Sequence, residues 1–507
     1  MSKKEACGGG SRISRRPEAH GLAGRLPLLL AAVAFLLAPA RAAGDALADG
    51  IDAALADKRL RGAAIGVCVQ ALGTGRVLYS RNAAAMLIPA SNQKILTAAT
   101  ALRELGADYR FETALMAVDA QDARDGTLDR GLILRGGGDP TLGSALAGEE
   151  PFEQFEAWAD ALLAMGVRRV GGDLVVDDTL LDRRHIHPDW PEGQLWRKYC
   201  APVSAASLGE NCVTVTVKPG ARVGDPAVVT LFPAVPFLKA SNRCKTRQNS
   251  HTIWFAREAD SLIITVGGSV QLGSSGYAGR VTVPHPALFT GAALAQVLEA
   301  KGIALEGTVR LAGPADLARR EGWHALAVRR TPLDRVLPLM LAWSQNMYAE
   351  HVIKAVGARG GAPGSWQTGL ARTAAMLAEQ GFTAESFELA DGSGLSRRNR
   401  ASAGLLCAVL VAQDRSESGK KLAEMMGVAG VNGTLRKRLA RAPYKGNVRA
   451  KTGYIRGVGA LSGYANAKSG ARVAFSILIN NSSPPMPNWA MKEIEDRIVR
   501  AIVDHAQ

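Results

Sequence analysis

The chain has 507 residues, 47% apolar and 21% charged, which allows several buried cores and argues against global disorder. Its 61 Lys and Arg exceed 46 Asp and Glu, giving a net charge of +15, and seven of the basic residues lie before residue 43. A basic surface suits a polyanion, but helix-turn-helix, zinc-finger and aromatic-basic strand signatures are missing, so anionic lipid or cell-wall polymer fits better than nucleic acid.

In chain order, a basic leader ends at Arg25 and a thirteen-residue apolar run, Leu26–Ala38, follows. That run falls short of the roughly 20 residues of a membrane span. Ala40-Arg41-Ala42 then matches an A-x-A-like cleavage site, so residues 1–43 read as a secretory signal peptide. Five cysteines follow the leader: Cys68, Cys200, Cys212, Cys244 and Cys407. The odd count leaves at least one free or paired with another chain. Cys68 and Cys407 sit in apolar runs and are expected to be buried free thiols, while Cys212 and Cys244 are the expected bridge. No Cys or His spacing suggests zinc.

A helix is predicted over 45–60, a hairpin over 63–69 and 76–80, and a helix from Pro89-Ala90-Ser91 to Leu105, stopped by Gly106. From 110 to 330 short strands and Gly/Pro turns dominate, with strands at 131–135, 171–177, 213–217, 261–266 and 280–283. Helices are predicted there at 152–165 and 291–301. Helical patterning returns at 332–342, 349–356, 369–380 and 401–411. Strands at 448–451, 457–467 and 472–480 and a helix at 488–505 close the chain. The pattern is a helix-and-sheet domain split by a long insertion.

Three short motifs carry chemistry. Ser91-Asn92-Gln93-Lys94 places a hydroxyl and an amine one helical turn apart, on the same face. A lysine kept neutral by burial or by a second cation takes the hydroxyl proton and makes the serine a nucleophile. Ser344-Gln345-Asn346 lies between two helical stretches, and Lys451-Thr452-Gly453 follows a short strand, its glycine permitting close approach of a substrate backbone. Ser418-Gly419-Lys420-Lys421 and Ser80-Arg81-Asn82 repeat the first two patterns and read as solvated surface.

Together and in this order, Ser-x-x-Lys, Ser-x-Asn and Lys-Thr-Gly resemble the signature of penicillin-binding proteins and serine β-lactamases. The 253-residue separation of Ser91 and Ser344 makes the chain most similar to the low-molecular-mass class C penicillin-binding proteins. These are D-alanyl-D-alanine carboxypeptidase/endopeptidases that cut peptidoglycan stem peptides. Gly138–Leu142, Ala201–Ala205, Asn211–Val215, Asn346–Glu350, Asp391–Arg397 and Gly430–Leu435 resemble the group too, over roughly 45–500. Gln345 and Met347 depart from it, since Asp-Asn-Leu is the more familiar context.

The resemblance implies an α/β (α+β) penicillin-recognising domain, a sheet between helical groups, formed by 45–111 and 331–507. Two nested β-rich pieces are expected in the insertion, at 112–138 with 229–330 and at 139–228. Ser91 is implied as nucleophile, Lys94 as its base, and Ser344 as relay to the leaving amine beside Lys451. Asn346 is implied to bind Lys94 or the substrate amide. Lys451 and Thr452 are implied to receive the terminal carboxylate, with Gly453 beside them and the Ser91 and Tyr454 N–H groups as oxyanion donors. No metal or organic cofactor is needed. Peptidoglycan stem peptides are the implied partners, β-lactams the covalent inhibitors and the bacterial periplasm the location, with peripheral membrane contact as a further option.

A serine β-lactamase is the nearest rival, and a non-catalytic scaffold the next. The remaining motifs read as structure: Asp391–Arg397 as a loop, Gly136-Gly137-Gly138 as a turn, and His185-Ile186-His187 as a loop pair. Trp190, Trp196 and Tyr199 read as core plugs, and Arg397–Arg400 as a solvated face.

Overall fold

The alternation of apolar residues in the strands around Cys68 and Ile477 sends side chains to two faces of one sheet, and both faces are covered. The computed structural model describes residues 45–118, 126–417, 419–481 and 485–507. The expected signal peptide, 1–43, lies outside the described residues, as does Ser418 of the second Ser-x-x-Lys match. The sheet has six strands in the order Gly427–Val428, Val448–Ile455, Val458–Asn466, Arg472–Asn480, Ala64–Ala71 and Val77–Arg81. Every pairing in it is antiparallel.

Val67, Val69, Phe475, Ile477 and Leu461 face the Ala46–Leu55 and Asn488–His505 helices, which supply Ile51, Ile494 and Ile498. Asp45 caps the first helix by accepting from the Leu47 and Ala48 N–H groups at 3.1 and 3.3 Å. Cys68, Leu478 and Ala460, one residue out of phase, face the opposite layer of helices. These are Gln93–Glu104, Leu333–Ala342, Asn346–Ala358, Trp366–Glu379 and Ala403–Arg415. The sheet between helical groups is therefore realised, and Cys68 and Cys407 are buried free thiols.

The chain leaves this domain along Arg110–Ala117 and returns along His324–Pro332, paired antiparallel with Phe111 opposite Thr331. Those strands form one side of a five-stranded sheet, in the order Val309–Leu311, Leu174–Asp177, Leu132–Arg135, Arg110–Ala117, His324–Pro332. The Glu153–Ala164 and Pro286–Ala300 helices cover it through Phe155, Trp158, Phe289 and Leu294. Cys212–Lys218 instead pairs with Val228–Phe232 and Tyr277–Thr282 in a separate three-stranded sheet.

The sheets do not divide at the expected borders. Leu174–Asp177, expected in the inner piece, pairs with Leu132–Arg135 of the outer one. The 228/229 border falls inside the Val228–Phe232 strand. Short strands give no sign of their partners, and pairing, not chain order, decides which sheet they join. The expected Cys212–Cys244 bridge is also absent: both are buried free thiols, and burial pushes the Cys212 thiol up to about 11.

Candidate active site

Ser91 sits in a 3₁₀ turn, Ala90–Asn92, that runs straight into the Gln93–Glu104 helix. Asn92 pins the turn to the sheet, its Nδ2 donating to Ser462 Oγ at 2.7 Å. Ala90 holds φ at +45°, an uncommon conformation for a residue with a Cβ. Gly394 lies so close behind it that a Cβ there would stand 1.8 Å from the Ala90 carbonyl oxygen.

Lys94 is fully buried one turn on, with Nζ 3.1 Å from Ser91 Oγ. It also donates to Asn346 Oδ1 at 2.8 Å and to the Ser393 carbonyl at 2.8 Å. Two of those partners only accept, and the third is a hydroxyl. A neutral amine, with two N–H donors and one lone pair, matches that set. Burial drives the Lys94 ammonium below its ordinary value, against the opposing pull of Glu350 and Asp391.

Ser344 stands between the Leu333–Ala342 and Asn346–Ala358 helices with φ at +62°. Lys451 Nζ donates to Ser344 Oγ at 2.7 Å and to the Thr452 carbonyl at 2.6 Å. Lys451 is also fully buried, and burial together with the Lys94 charge lowers its pKa far below the lysine range. Thr452 Oγ1 meets Thr434 Oγ1 at 2.9 Å, which adds a second hydroxyl. A Cβ on Gly453 would stand 3.0 Å from the Pro89 carbonyl and 3.1 Å from the Ser91 nitrogen, so this strand passes directly over the Ala90–Asn92 turn. The Gly427–Val428 strand pairs only as far as Arg449–Ala450. Beyond it the outer edge of Lys451–Ile455 has no strand partner among the described residues, and Tyr454 there is 44% exposed.

The structure thus brings Ser91, Lys94, Ser344, Asn346, Lys451, Thr452 and Gly453 into one group, with Tyr454 next along the strand. Ser80 and Asn82 lie on the far edge strand and its end, where Asn82 donates to the Ile65 carbonyl.

Three participants escaped the sequence reading. The Asp391–Arg397 loop supplies the Ser393 carbonyl to Lys94. Glu350 is fully buried and accepts from the N–H groups of Gly392 and Ser393 at 2.9 Å each and from Trp366 Nε1 at 2.7 Å. Burial and Asp391 raise its pKa, while these donors pull it down. The Tyr199 ring packs on a core cluster as expected, and its carbonyl also accepts from Asn346 Nδ2 at 2.9 Å and fixes the amide orientation. Gln345, at the unfamiliar position, donates to Glu210 at 2.6 Å and ties Ser344's loop to the insertion. The signal for Glu350 lay in the Asn346–Glu350 stretch, but a lone glutamate on a helix carries no role in sequence.

Trp190 is core, packed on Trp366 and donating to Asp391 at 3.1 Å. His187 stacks edge-on against Trp366. Among the described residues no group of His, Cys, Asp and Glu could hold a metal ion.

A serine hydrogen-bonded to one buried lysine, with a second lysine and a serine on its other side, on a sheet between helical layers, is the arrangement of the penicillin-recognising serine hydrolases. The model of the D-Ala-D-Ala carboxypeptidase 3 (S13) family matches residues 47–502. The chain belongs to that family of serine-type hydrolases. It is 35% identical to a D-alanyl-D-alanine carboxypeptidase of Actinomadura sp. (strain R39), over 98% of this chain and 92% of that one. It is 27% identical to the D-alanyl-D-alanine carboxypeptidase DacB of Haemophilus influenzae, over 85% and 88% of the two chains. The crystal structure of penicillin binding protein 4 (dacB) from Haemophilus influenzae superposes with a TM-score of 0.77 at 25% identity, covering 90% of this chain and 99% of that one.

Proposed function

We propose that the protein is a D-Ala-D-Ala carboxypeptidase, with endopeptidase action on cross-links, whose nucleophile is Ser91 and whose substrates are peptidoglycan stem peptides. The observation that carries this reading is the pair of hydrogen-bonded couples, Lys94 with Ser91 and Lys451 with Ser344. Neutral Lys94 takes the Ser91 proton as Oγ attacks the carbonyl between the two D-alanines. The oxyanion forms against the N–H groups of Ser91 and Tyr454. As the C–N bond breaks, Ser344 passes its proton to the leaving amine and is reprotonated from Lys451, whose ammonium form the bound terminal carboxylate restores against burial. Lys451 and the hydroxyls of Thr452 and Thr434 receive the substrate's terminal carboxylate. Water releases the acyl group by the reverse proton path. Nothing in these steps distinguishes free D-alanine from a cross-linked peptide as the leaving amine, which is why endopeptidase action belongs to the proposal. The apolar leader and cleavage pattern, with a cell-wall substrate, support export to the periplasm.

The test is intact mass after incubation with benzylpenicillin, with peptide mapping. A lasting one-to-one adduct on Ser91 is expected. Consumption of penicillin without an adduct would replace this reading with a β-lactamase, and an untouched pair would sink it.

A pH prediction follows from Lys94. Only its neutral form takes the Ser91 proton, and burial lowers its pKa. Acylation is therefore slow at low pH, rises as pH climbs through that lowered pKa, and is at plateau well before the ordinary lysine value of about 10.4. Stopped-flow acylation by a chromogenic cephalosporin across pH checks this. An ascending limb at the ordinary lysine value would exclude Lys94 as the base.

A further inference from the structure

A second cleft, of about 570 Å³, opens in the insertion between Trp196–Tyr199 on one wall and Ile253–Phe255 with Tyr277–Arg280 on the other. Its aromatic rings are built in, not loosely exposed. Trp254 packs against Gly267, where a Cβ would stand 2.1 Å from its Cζ2, yet the residue is 49% exposed. Gly279 makes room for Phe255 and Tyr277 in the same way, with Cβ distances of 2.6 and 3.1 Å to their rings. Tyr277 is 48% exposed and stacks against Phe255 with ring centres 5.7 Å apart. Arg197 lies 4.4 Å over the Trp196 ring. Arg197 and Lys198 are exposed on the rim, and neither forms an ion pair among the described residues. Arg280, by contrast, is taken up by Glu210.

The cleft is joined to the catalytic motifs by hydrogen bonds. Its wall residue Tyr199 holds Asn346. Glu210, the partner of its wall residue Arg280, holds Gln345 beside Ser344.

We propose that this cleft is a substrate subsite that binds the saccharide-peptide strand of peptidoglycan away from the scissile D-alanines. The inference rests on the peptidoglycan reading above. Pyranose rings present C–H faces that lie on exposed Trp and Tyr rings. Stem-peptide carboxylates meet the unpaired cations Arg197 and Lys198. The continuity from Tyr199 to Asn346 places such a subsite on the same body as the nucleophile. A neutral protein partner would use the rings but leave the two cations uncompensated.

The test is co-sedimentation of the mature protein with insoluble purified peptidoglycan, after acylation by benzylpenicillin has filled the catalytic site. W254A/Y277A and R197A/K198A are compared with wild type, with acylation rate and melting temperature as folding controls. The acylated wild type is expected to sediment. W254A/Y277A should bind about five- to tenfold more weakly, the loss of two stacked rings, and R197A/K198A should bind more weakly and with less dependence on salt. Both variants should acylate at the wild-type rate. Equal binding by both variants would overturn the proposal. Should a variant fail to fold, a soluble muramyl disaccharide-peptide titrated into wild type replaces it: perturbed Trp254 and Tyr277 resonances support the subsite, and unperturbed ones overturn it. If penicillin does not acylate the protein, the catalytic reading fails, while sedimentation of the unmodified variants still decides the cleft.

Discussion

Ser91→Ala is expected to remove penicillin acylation entirely and to lower hydrolysis of a D-Ala-D-Ala peptide by at least about 10⁴-fold, leaving only what binding and oxyanion donors supply. The same change is expected to leave the melting temperature nearly in place. Ser91 is partly exposed, and its Oγ meets Lys94 Nζ at 3.1 Å. Lys94 keeps Asn346 and Ser393 when the hydroxyl goes. The loss is then at most one hydrogen bond, about 1 kcal/mol, and less where a neutral amine loses only an incoming donor. Differential scanning calorimetry beside a turnover assay measures both halves. Residual acylation would move the nucleophile elsewhere. A large fall in melting temperature with no loss of turnover would make Ser91 a structural residue.

The separation between activity and stability at Ser91 reflects how the site is built. Strain sits in its backbone, at Ala90 and Ser344, both with positive φ. The surrounding structure holds that strain through Gly394 pressed on Ala90, Asn92 fixed to Ser462, and Lys451 fixed to Ser344. None of this was legible in sequence, because φ at a non-glycine residue leaves no local pattern. The residues themselves were legible, since Ser-x-x-Lys needs only helical spacing to bring Ser91 and Lys94 together. The sheet between helices was legible too, through the family resemblance that the three motifs carry.

What failed in the insertion was partnership. Arg110–Ala117 and His324–Pro332 pair across more than two hundred residues, and their polar faces are matched by contacts such as Arg330 to Glu112 at 3.0 Å. Neither strand advertises the other locally. The same holds for Glu350, whose three donors come from Trp366 and from the loop at Gly392–Ser393. Long-range satisfaction of a buried carboxylate becomes visible only when the chain is folded.

Glu350→Gln should therefore slow acylation by about 10²-fold, the cost of shifting a catalytic partner by about 1 Å. The carboxylate accepts on both oxygens, and an amide offers one oxygen and turns an NH₂ toward at least one of those N–H donors. The loop carrying Ser393 must retreat, and its carbonyl then no longer holds Lys94. The variant should also lose about 2–3 kcal/mol of stability, as expected when hydrogen bonds to a buried charge are broken. Stability alone would fit a purely structural residue, so the deciding measurement is the pH profile. An ionised Glu350 raises the Lys94 pKa. Removing that charge lets burial lower it further, and the ascending limb of acylation moves to lower pH. Glu350→Asp keeps the charge and should leave the limb closer to wild type while still losing rate through its shorter reach. If Glu350→Gln lowers only the melting temperature, with rate and limb unchanged in the folded fraction, Glu350 braces the helix and does not position the base.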